Sequence, residues 1–301
     1  MSILIKKLSA FFILFTAFSC VVQTQETFKY LKQNPPSLTP EIFAPEIISK
    51  PDQHEFGSVF SDDGTEFFYG IDINGKAEIR YTKLQDSIWI NPEVIISHDT
   101  YSYNDPFLSQ DEDRLYYISD MPLEGDENKK DYDIWYSFKK GNGWSKPINA
   151  GQNINTNKNE YYISFTSNGT MYFASNKNAD KENKRDFDIY FSNEVDGKFK
   201  NSIQLGDSIN TKNYEADVFI APDESYMIFC AIRKEGFGQG DLYISFKNNN
   251  GIWSESKNMG KSINSEYHEL CPFVTKDGKY FFFTSNKDIY WVSSDIINQY
   301  R

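Results

Sequence analysis

The sequence predicts an all-β fold: a single five-bladed β-propeller of four-stranded blades. Three observations point to it. First, a cluster of acid, aliphatic and aromatic residues recurs five times, as Glu78-Ile79-Arg80-Tyr81, Asp133-Ile134-Trp135-Tyr136, Asp188-Ile189-Tyr190-Phe191, Asp241-Leu242-Tyr243-Ile244 and Asp288-Ile289-Tyr290-Trp291. A strand-rich unit repeating roughly every 50 residues is the signature of a radial β architecture. Second, each cluster follows a turn rich in Gly, Asn and Asp, such as Ser61-Asp62-Asp63-Gly64 or Thr275-Lys276-Asp277-Gly278, residue types that tolerate left-handed backbone. Third, aromatic residues make up 17% of the chain, a load that suits pleated strands and supplies a core.

Taken in chain order, the N-terminus reads as a targeting segment. Lys6 and Lys7 precede an apolar run over 8–18 that is too short for an ordinary membrane span, and Ala17-Phe18-Ser19-Cys20 follows. A cysteine after a small residue at that place matches a bacterial lipobox, with simple signal-peptide cleavage as the alternative. The expectation is therefore a signal peptide over 1–19, acylation at Cys20, and a tether over 20–37 containing Pro35 and Pro36. The body would be exported and monomeric, held to a gram-negative-type envelope, periplasmic or at the cell surface, through the lipid alone.

The propeller is expected over 38–301, with repeats near 53–98, 99–152, 153–207, 208–261 and 262–297. Innermost strands begin at Glu55, Tyr103, Glu160, Glu215 and Glu269, and aromatic second strands include Phe67-Phe68-Tyr69 and Tyr280-Phe281-Phe282-Phe283. The acid-aliphatic-aromatic cluster opens each third strand. Trp89, Trp144, Phe199 and Trp253 are assigned to the outermost strands, where proline (Pro92, Pro147) is tolerated at a sheet edge. The fifth repeat stops before its outermost strand. The segment 38–45, with Phe43 and flanking prolines, is expected to supply it and close the ring, which removes two exposed edges.

Charge excludes one class of partner. A formal net charge of −12 argues against nucleic acid, whose phosphates need a basic surface. Cys230 and Cys271 read as buried free thiols, with a disulfide as the alternative. There is no Gly-x-Ser-x-Gly elbow and no CxxC or HExxH pattern.

Candidate ligand-binding positions lie where the chain enters the innermost strands: Glu55, Glu160, Glu215 and Glu269, with Tyr103 in the second repeat. Lys177, Arg233 and Lys287 follow second strands and belong to the same face. An acidic ring with nearby cations could accept sugar hydroxyls or hold calcium or another divalent cation in the channel. The competing reading is structural: a repeated Glu that bonds backbone amides. His54 and His268 precede two of the glutamates and are candidate metal ligands, although neighbouring strand residues point to opposite faces. Tyr103, Tyr161 and Tyr162 are candidates for stacking on sugar rings. Two charged loops, 121–132 and 178–187, decorate the same face.

The Ser-Asp-Asp-Gly and Thr-Lys-Asp-Gly turns, the Ser175-Asn176-Lys177 and Ser285-Asn286-Lys287 motifs and the Asp-Ile-Tyr clusters resemble the WD40-like repeat of TolB-type propellers. With 38–45 and the linkers Ile154-Asn155-Thr156, Ile209-Asn210-Thr211 and Ile263-Asn264-Ser265, the chain is similar to exported bacterial lipoproteins built from these repeats. The resemblance implies the fold over nearly the whole mature chain and supplies no catalytic residue. The expected function is a non-catalytic module binding a glycan, peptide or envelope protein. The alternatives are a glycoside hydrolase or polysaccharide lyase using the glutamates, and a structural part of an envelope complex.

Overall fold

The computed structural model describes residues 29–301 except 127, 129, 142 and 180–185. The expected signal peptide, Cys20 and the charged centre of the loop 178–187 lie outside the described residues. No helix among the described residues is long and apolar enough to cross a membrane.

Five antiparallel sheets follow one another along the chain. Blade one is Glu55–Phe60, Glu66–Asp72, Ala77–Gln85 and Glu93–Ile96. Blade two is Tyr103–Leu108, Arg114–Ser119, Asp133–Lys140 and Ile148–Asn149. Blade three is Glu160–Phe165, Met171–Ser175, Asp188–Ser192 and Ile203–Gln204, and blade four Glu215–Ile220, Tyr226–Ala231, Asp241–Phe246 and Lys257–Asn258. Blade five takes Leu270–Val274, Tyr280–Ser285 and Asp288–Ser293 from the C-terminal end and Glu41–Ile42 from the N-terminal end, with Glu41 opposite Trp291. The five-bladed propeller closed by the N-terminal strand is thus the observed fold.

Each second strand is buried on both faces because a neighbouring blade covers each side; Phe67-Phe68-Tyr69 and Phe281-Phe282-Phe283 are examples. The turn after each innermost strand is tied by its own side chains. Ser61 Oγ donates to Asp63 Oδ1 (2.7 Å) and accepts from the Glu66 amide (2.9 Å), and Thr275 with Asp277 repeats this in blade five.

The linker Ile-Asn-Thr/Ser is a clamp between blades. Asn155 Oδ1 accepts from the Ile134 amide (2.9 Å), Asn210 from Ile189 (2.7 Å) and Asn264 from Leu242 (2.8 Å), each reaching the third strand of the preceding blade. The Ile ahead of each Asn is buried in the core. Asn210→Ala would leave the buried Ile189 N–H unpaired and is expected to cost about 1–3 kcal/mol, readable by urea denaturation. An unchanged midpoint would remove the clamp from the stability argument.

Two expectations are corrected. Trp89, Trp144 and Phe199 lie in short hairpin extensions of the third-strand region, at Ile88–Trp89, Gly143–Trp144 and Lys198–Phe199, and Trp253 bridges Lys247. The outermost strands start a few residues later. The aromatics sit there because they pack on other side chains: Trp144 lies edge-on to Phe68 of blade one (6.0 Å) and Phe199 is buried. Pro92 and Pro147 then directly precede the outermost strands, where a missing N–H removes no ladder bond. The second correction concerns the tether. Within it, Tyr30 and Leu31 are buried, Tyr30 packs on Phe60 (5.0 Å) and Tyr280 (4.8 Å), and Ser37 O accepts from the Ser293 amide (2.9 Å). This stretch is part of the seam between blades five and one.

Candidate functional site

The entering glutamates split into two kinds. Glu160, Glu215 and Glu269 are wholly buried. In each, one oxygen accepts from the amide of the Thr or Ser four residues ahead, at 3.1, 2.8 and 3.1 Å, and the other from that residue's hydroxyl, at 2.9, 2.8 and 2.5 Å. A third donor completes each set: Ser175 (2.7 Å), Arg233 (3.4 Å) and Ser285 (2.6 Å). These carboxyls hold the linker to the blade and face no open channel. They do not form the acidic ring that the sequence allowed.

Glu55 is different. It is also wholly buried, yet neither oxygen has a hydrogen-bond partner. The cause lies in the linker. The Ile48 amide donates to Ala44 O just as the Asn155, Asn210 and Asn264 amides donate to the glycines at the same place, so Ile48 occupies the clamp position and Ser49 the Thr/Ser position. Two extra residues then separate Ser49 from Glu55, and the buried Ser49 Oγ is unpartnered as well. Burial pushes the Glu55 carboxyl up to about 7, tempered by the nearby amides of Glu55 and Lys50.

Tyr103 is buried edge-on to Tyr117 (5.6 Å), its hydroxyl directed at Met121 Sδ (3.6 Å). Lys177 donates to Ser202 Oγ (2.6 Å) and lies over the Tyr190 ring (3.9 Å). Arg233 bonds Ser256 Oγ (2.7 Å), Ile209 O (3.1 Å) and Glu215 and covers Tyr243 (4.5 Å). Lys287 gives its carbonyl to the Glu55 amide (3.0 Å) and, with His54 and Asp72, lines a cleft of about 610 Å³ over the closing seam. His54 neighbours Phe56 (5.7 Å) in that seam, whereas His268 accompanies blade four, its Nε2 3.2 Å from Cys230 Sγ. Burial lowers both imidazole pKa values. The histidines belong to different seams, and among the described residues no three His, Cys, Asp or Glu groups converge as a metal site. Cys230 and Cys271 are free thiols.

The structure brings together a set of five positions that the sequence reading did not group, although it had named Tyr162 and Cys271 for other reasons. The residue two places after each entering Glu or Tyr has left-handed backbone: Gly57 (φ 53°), Asp105 (49°), Tyr162 (45°), Asp217 (49°) and Cys271 (53°). Each coincides with a break in strand register, a bulge that redirects the side chain. These five positions form one layer across the channel. Cys271 Sγ donates to Asp105 Oδ1 (3.4 Å), Tyr162 donates to Pro272 O of blade five (2.8 Å), and a side chain at Gly57 would press on Asp105 at 3.0 Å. Beneath the layer Phe107, Phe219 and Phe273 meet edge to face (6.0 and 6.1 Å) and plug the channel.

Asp105 and Asp217 are each only 8% exposed. Burial pushes Asp217 up to about 8, with the charge of Asp105 adding to it, and pushes Asp105 up to about 6. Asp217 has no hydrogen bond among the described residues. On the entry side, aromatic rings form an arc over four blades: Tyr132 to Tyr161 (5.5 Å), Tyr161 to Phe187 (5.1 Å), Phe187 to Tyr214 (5.7 Å) and Tyr214 to His268 (6.3 Å). The Tyr161 and Tyr214 hydroxyls both feel the charge of Asp217, which puts the arc beside the acidic layer. Of the three tyrosines proposed for stacking, only Tyr161 is in the arc. The signal in the sequence was the column Gly, Asp, Tyr, Asp, Cys two places after the entering residue of otherwise apolar strands.

Fold and site define a five-bladed β-propeller whose channel holds a layer with two buried acids beside a cluster of aromatic rings, and its fold is that of the TolB-type propellers. TolB from Acinetobacter baumannii is similar with a TM-score of 0.51 at 13% identity, over 81% of this chain and 55% of that one, so this chain spans about half of TolB. The endo-arabinase from Bacteroides thetaiotaomicron VPI-5482 (TM-score 0.52, 14% identity, 85% of this chain and 96% of that one) and a protein of unknown function from Dyadobacter fermentans DSM 18053 (0.51, 13%, 86% and 83%) share the architecture. No family model matches the chain, and no curated protein matches it in sequence.

Proposed function

We propose that this chain is a non-catalytic recognition module that takes a glycan on the entry face of its channel. One observation carries the reading: the arc Tyr132–Tyr161–Phe187–Tyr214–His268 beside the carboxyls of Asp105 and Asp217. Aromatic faces stack on the apolar faces of sugar rings, and carboxyls take up their polar groups. The hydrogen-bonded glutamates support a non-catalytic role, because their oxygens are occupied by the fold. That an endo-arabinase shares the architecture is compatible with a sugar ligand on such a scaffold. Export and acylation at Cys20 belong to the same proposal and would hold the propeller at an envelope surface.

A glycan array with the purified propeller, followed by titration calorimetry of the hits, tests this. Tyr214→Ala is expected to weaken binding about tenfold or more, since one aromatic contact is worth ~1–3 kcal/mol. Binding unaffected by both Tyr161→Ala and Tyr214→Ala would displace the site from the arc, and released sugar products would overturn the non-catalytic reading.

A further inference from the structure

The acidic layer lacks a counterpart. Asp105 receives only a weak thiol donor from Cys271, and Asp217 receives none. A buried carboxyl is stable as an ion only when paired. The side chains sharing the layer are Tyr162, Cys271 and Gly57, none of them cationic, and the Tyr162 hydroxyl is already committed to Pro272 O. Lys177 and Arg233 are committed to Ser202 and to Ser256, Ile209 and Glu215. Burial holds the Cys271 thiol protonated, so it offers no thiolate to a soft metal. With no convergent set of three metal-binding groups among the described residues, a resident divalent ion does not suit the layer either. A small organic cation does: it needs one or two carboxylates and an aromatic wall, not a closed coordination shell.

Resting on the glycan reading above, we propose that the group received beside Asp217 is a primary ammonium, carried by an amino sugar whose ring lies against Tyr161 and Tyr214. Asp217 pairs with the ammonium, Asp105 accepts a second N–H, and the two tyrosine rings supply the cation–π wall. A neutral N-acetyl group in the same place would leave both carboxyls without a cation. Gly57 lets the backbone of blade one approach Asp105 closely; a methyl group there would contact Asp105 Oδ1 at 3.0 Å.

The test is calorimetric titration of the full chain at near-neutral pH with a glucosamine tetrasaccharide, its fully N-acetylated counterpart and a glucose tetrasaccharide. The free-amine sugar is expected to bind about tenfold or more tighter than the other two. Asp217→Asn is expected to abolish that preference while leaving the weaker binding of the acetylated sugar in place. Asn is nearly isosteric, and Asp217 makes no hydrogen bond, so folding should persist. Asp105→Asn provides a second variant, and a thermal melt checks both. The exposed-turn variant Asp86→Asn controls for general attraction to an anionic chain. If all three sugars bind equally, the ammonium inference fails and the recognition reading stands. If no sugar binds, both fail. A preference that survives both Asn variants, or falls equally in Asp86→Asn, would also overturn the inference.

Discussion

Phe43→Ala is expected to destabilise the propeller by about 3–5 kcal/mol, the range for deleting a buried phenyl ring. Phe43 is wholly buried in the only blade built from both ends of the chain. Its ring meets Phe282 (5.1 Å) and Trp291 (5.2 Å) of blade five and Phe60 (5.8 Å) and Phe67 (5.3 Å) of blade one. Its amide donates to Ile289 O (2.8 Å), extending the closing strand by one bond. The two-residue strand Glu41–Ile42 is itself exposed, so it adds hydrogen bonds and little apolar burial. Within the closing strand the apolar contact therefore rests on this one ring, with Tyr30 and Leu31 adding to the same seam. A melting temperature lowered by about 10 °C is the corresponding readout, at roughly 2–4 °C per kcal/mol for a chain of this size. A loss below about 1 kcal/mol would mean that closure depends on the strand hydrogen bonds instead.

Stability is also expected to fall as pH rises from about 5 to 8, and Glu55→Gln to remove a large part of that fall. The sign follows from linkage. Glu55 has its pKa raised from 4.5 to about 7 in the folded state, so between those values the native chain binds a proton that the unfolded chain has released. Stability is then fully present below the unfolded pKa and is lost as pH climbs through the folded one. Asp217 (about 8), Glu160 (about 7) and Asp105 and Asp188 (about 6) act in the same direction. For Glu55 alone the loss at pH 8 is about 3 kcal/mol, at ~1.4 kcal/mol for each pKa unit. Glu160 is surrounded by donors that an amide would disturb. Glu55 has only the nearby amides of Glu55 and Lys50 and no side-chain donor, so Glu55→Gln removes a buried charge while disturbing far fewer contacts. Urea denaturation over this pH range should show the variant more stable than the parent at pH 8 and similar at pH 4. Parallel pH profiles for the two chains would show that Glu55 is not the group responsible.

Much of this was legible in the sequence. The repeat of acid, aliphatic and aromatic residues gave blade number and order, because each blade must solve the same packing problem with the same residue types. The missing outermost strand of the fifth repeat and the aromatic at Phe43 together implied closure by the N-terminal segment. The outermost strands were placed a few residues early. Trp89 and Trp144 look like strand residues by composition, but their position depends on where the third strand stops pairing.

The acidic layer was hidden for a geometric reason. The entering glutamates were assigned to the channel face by their position at the start of each innermost strand, and strict alternation would put the first and third residues of such a strand on one face. A left-handed residue at the third position breaks that alternation in every blade, turning Asp105 and Asp217 into the channel while Glu160, Glu215 and Glu269 fold back onto their own linkers. The aromatic arc was equally out of reach: Tyr132, Phe187 and His268 come from different blades and are linked, through Tyr161 and Tyr214, only when neighbouring blades pack. By itself, then, the sequence determined the architecture, since local periodicity and turn chemistry repeat and need no long-range information. Only the tertiary structure decided which acids are satisfied and which lack a partner, because that depends on donors brought by neighbouring blades and on a two-residue difference in one linker.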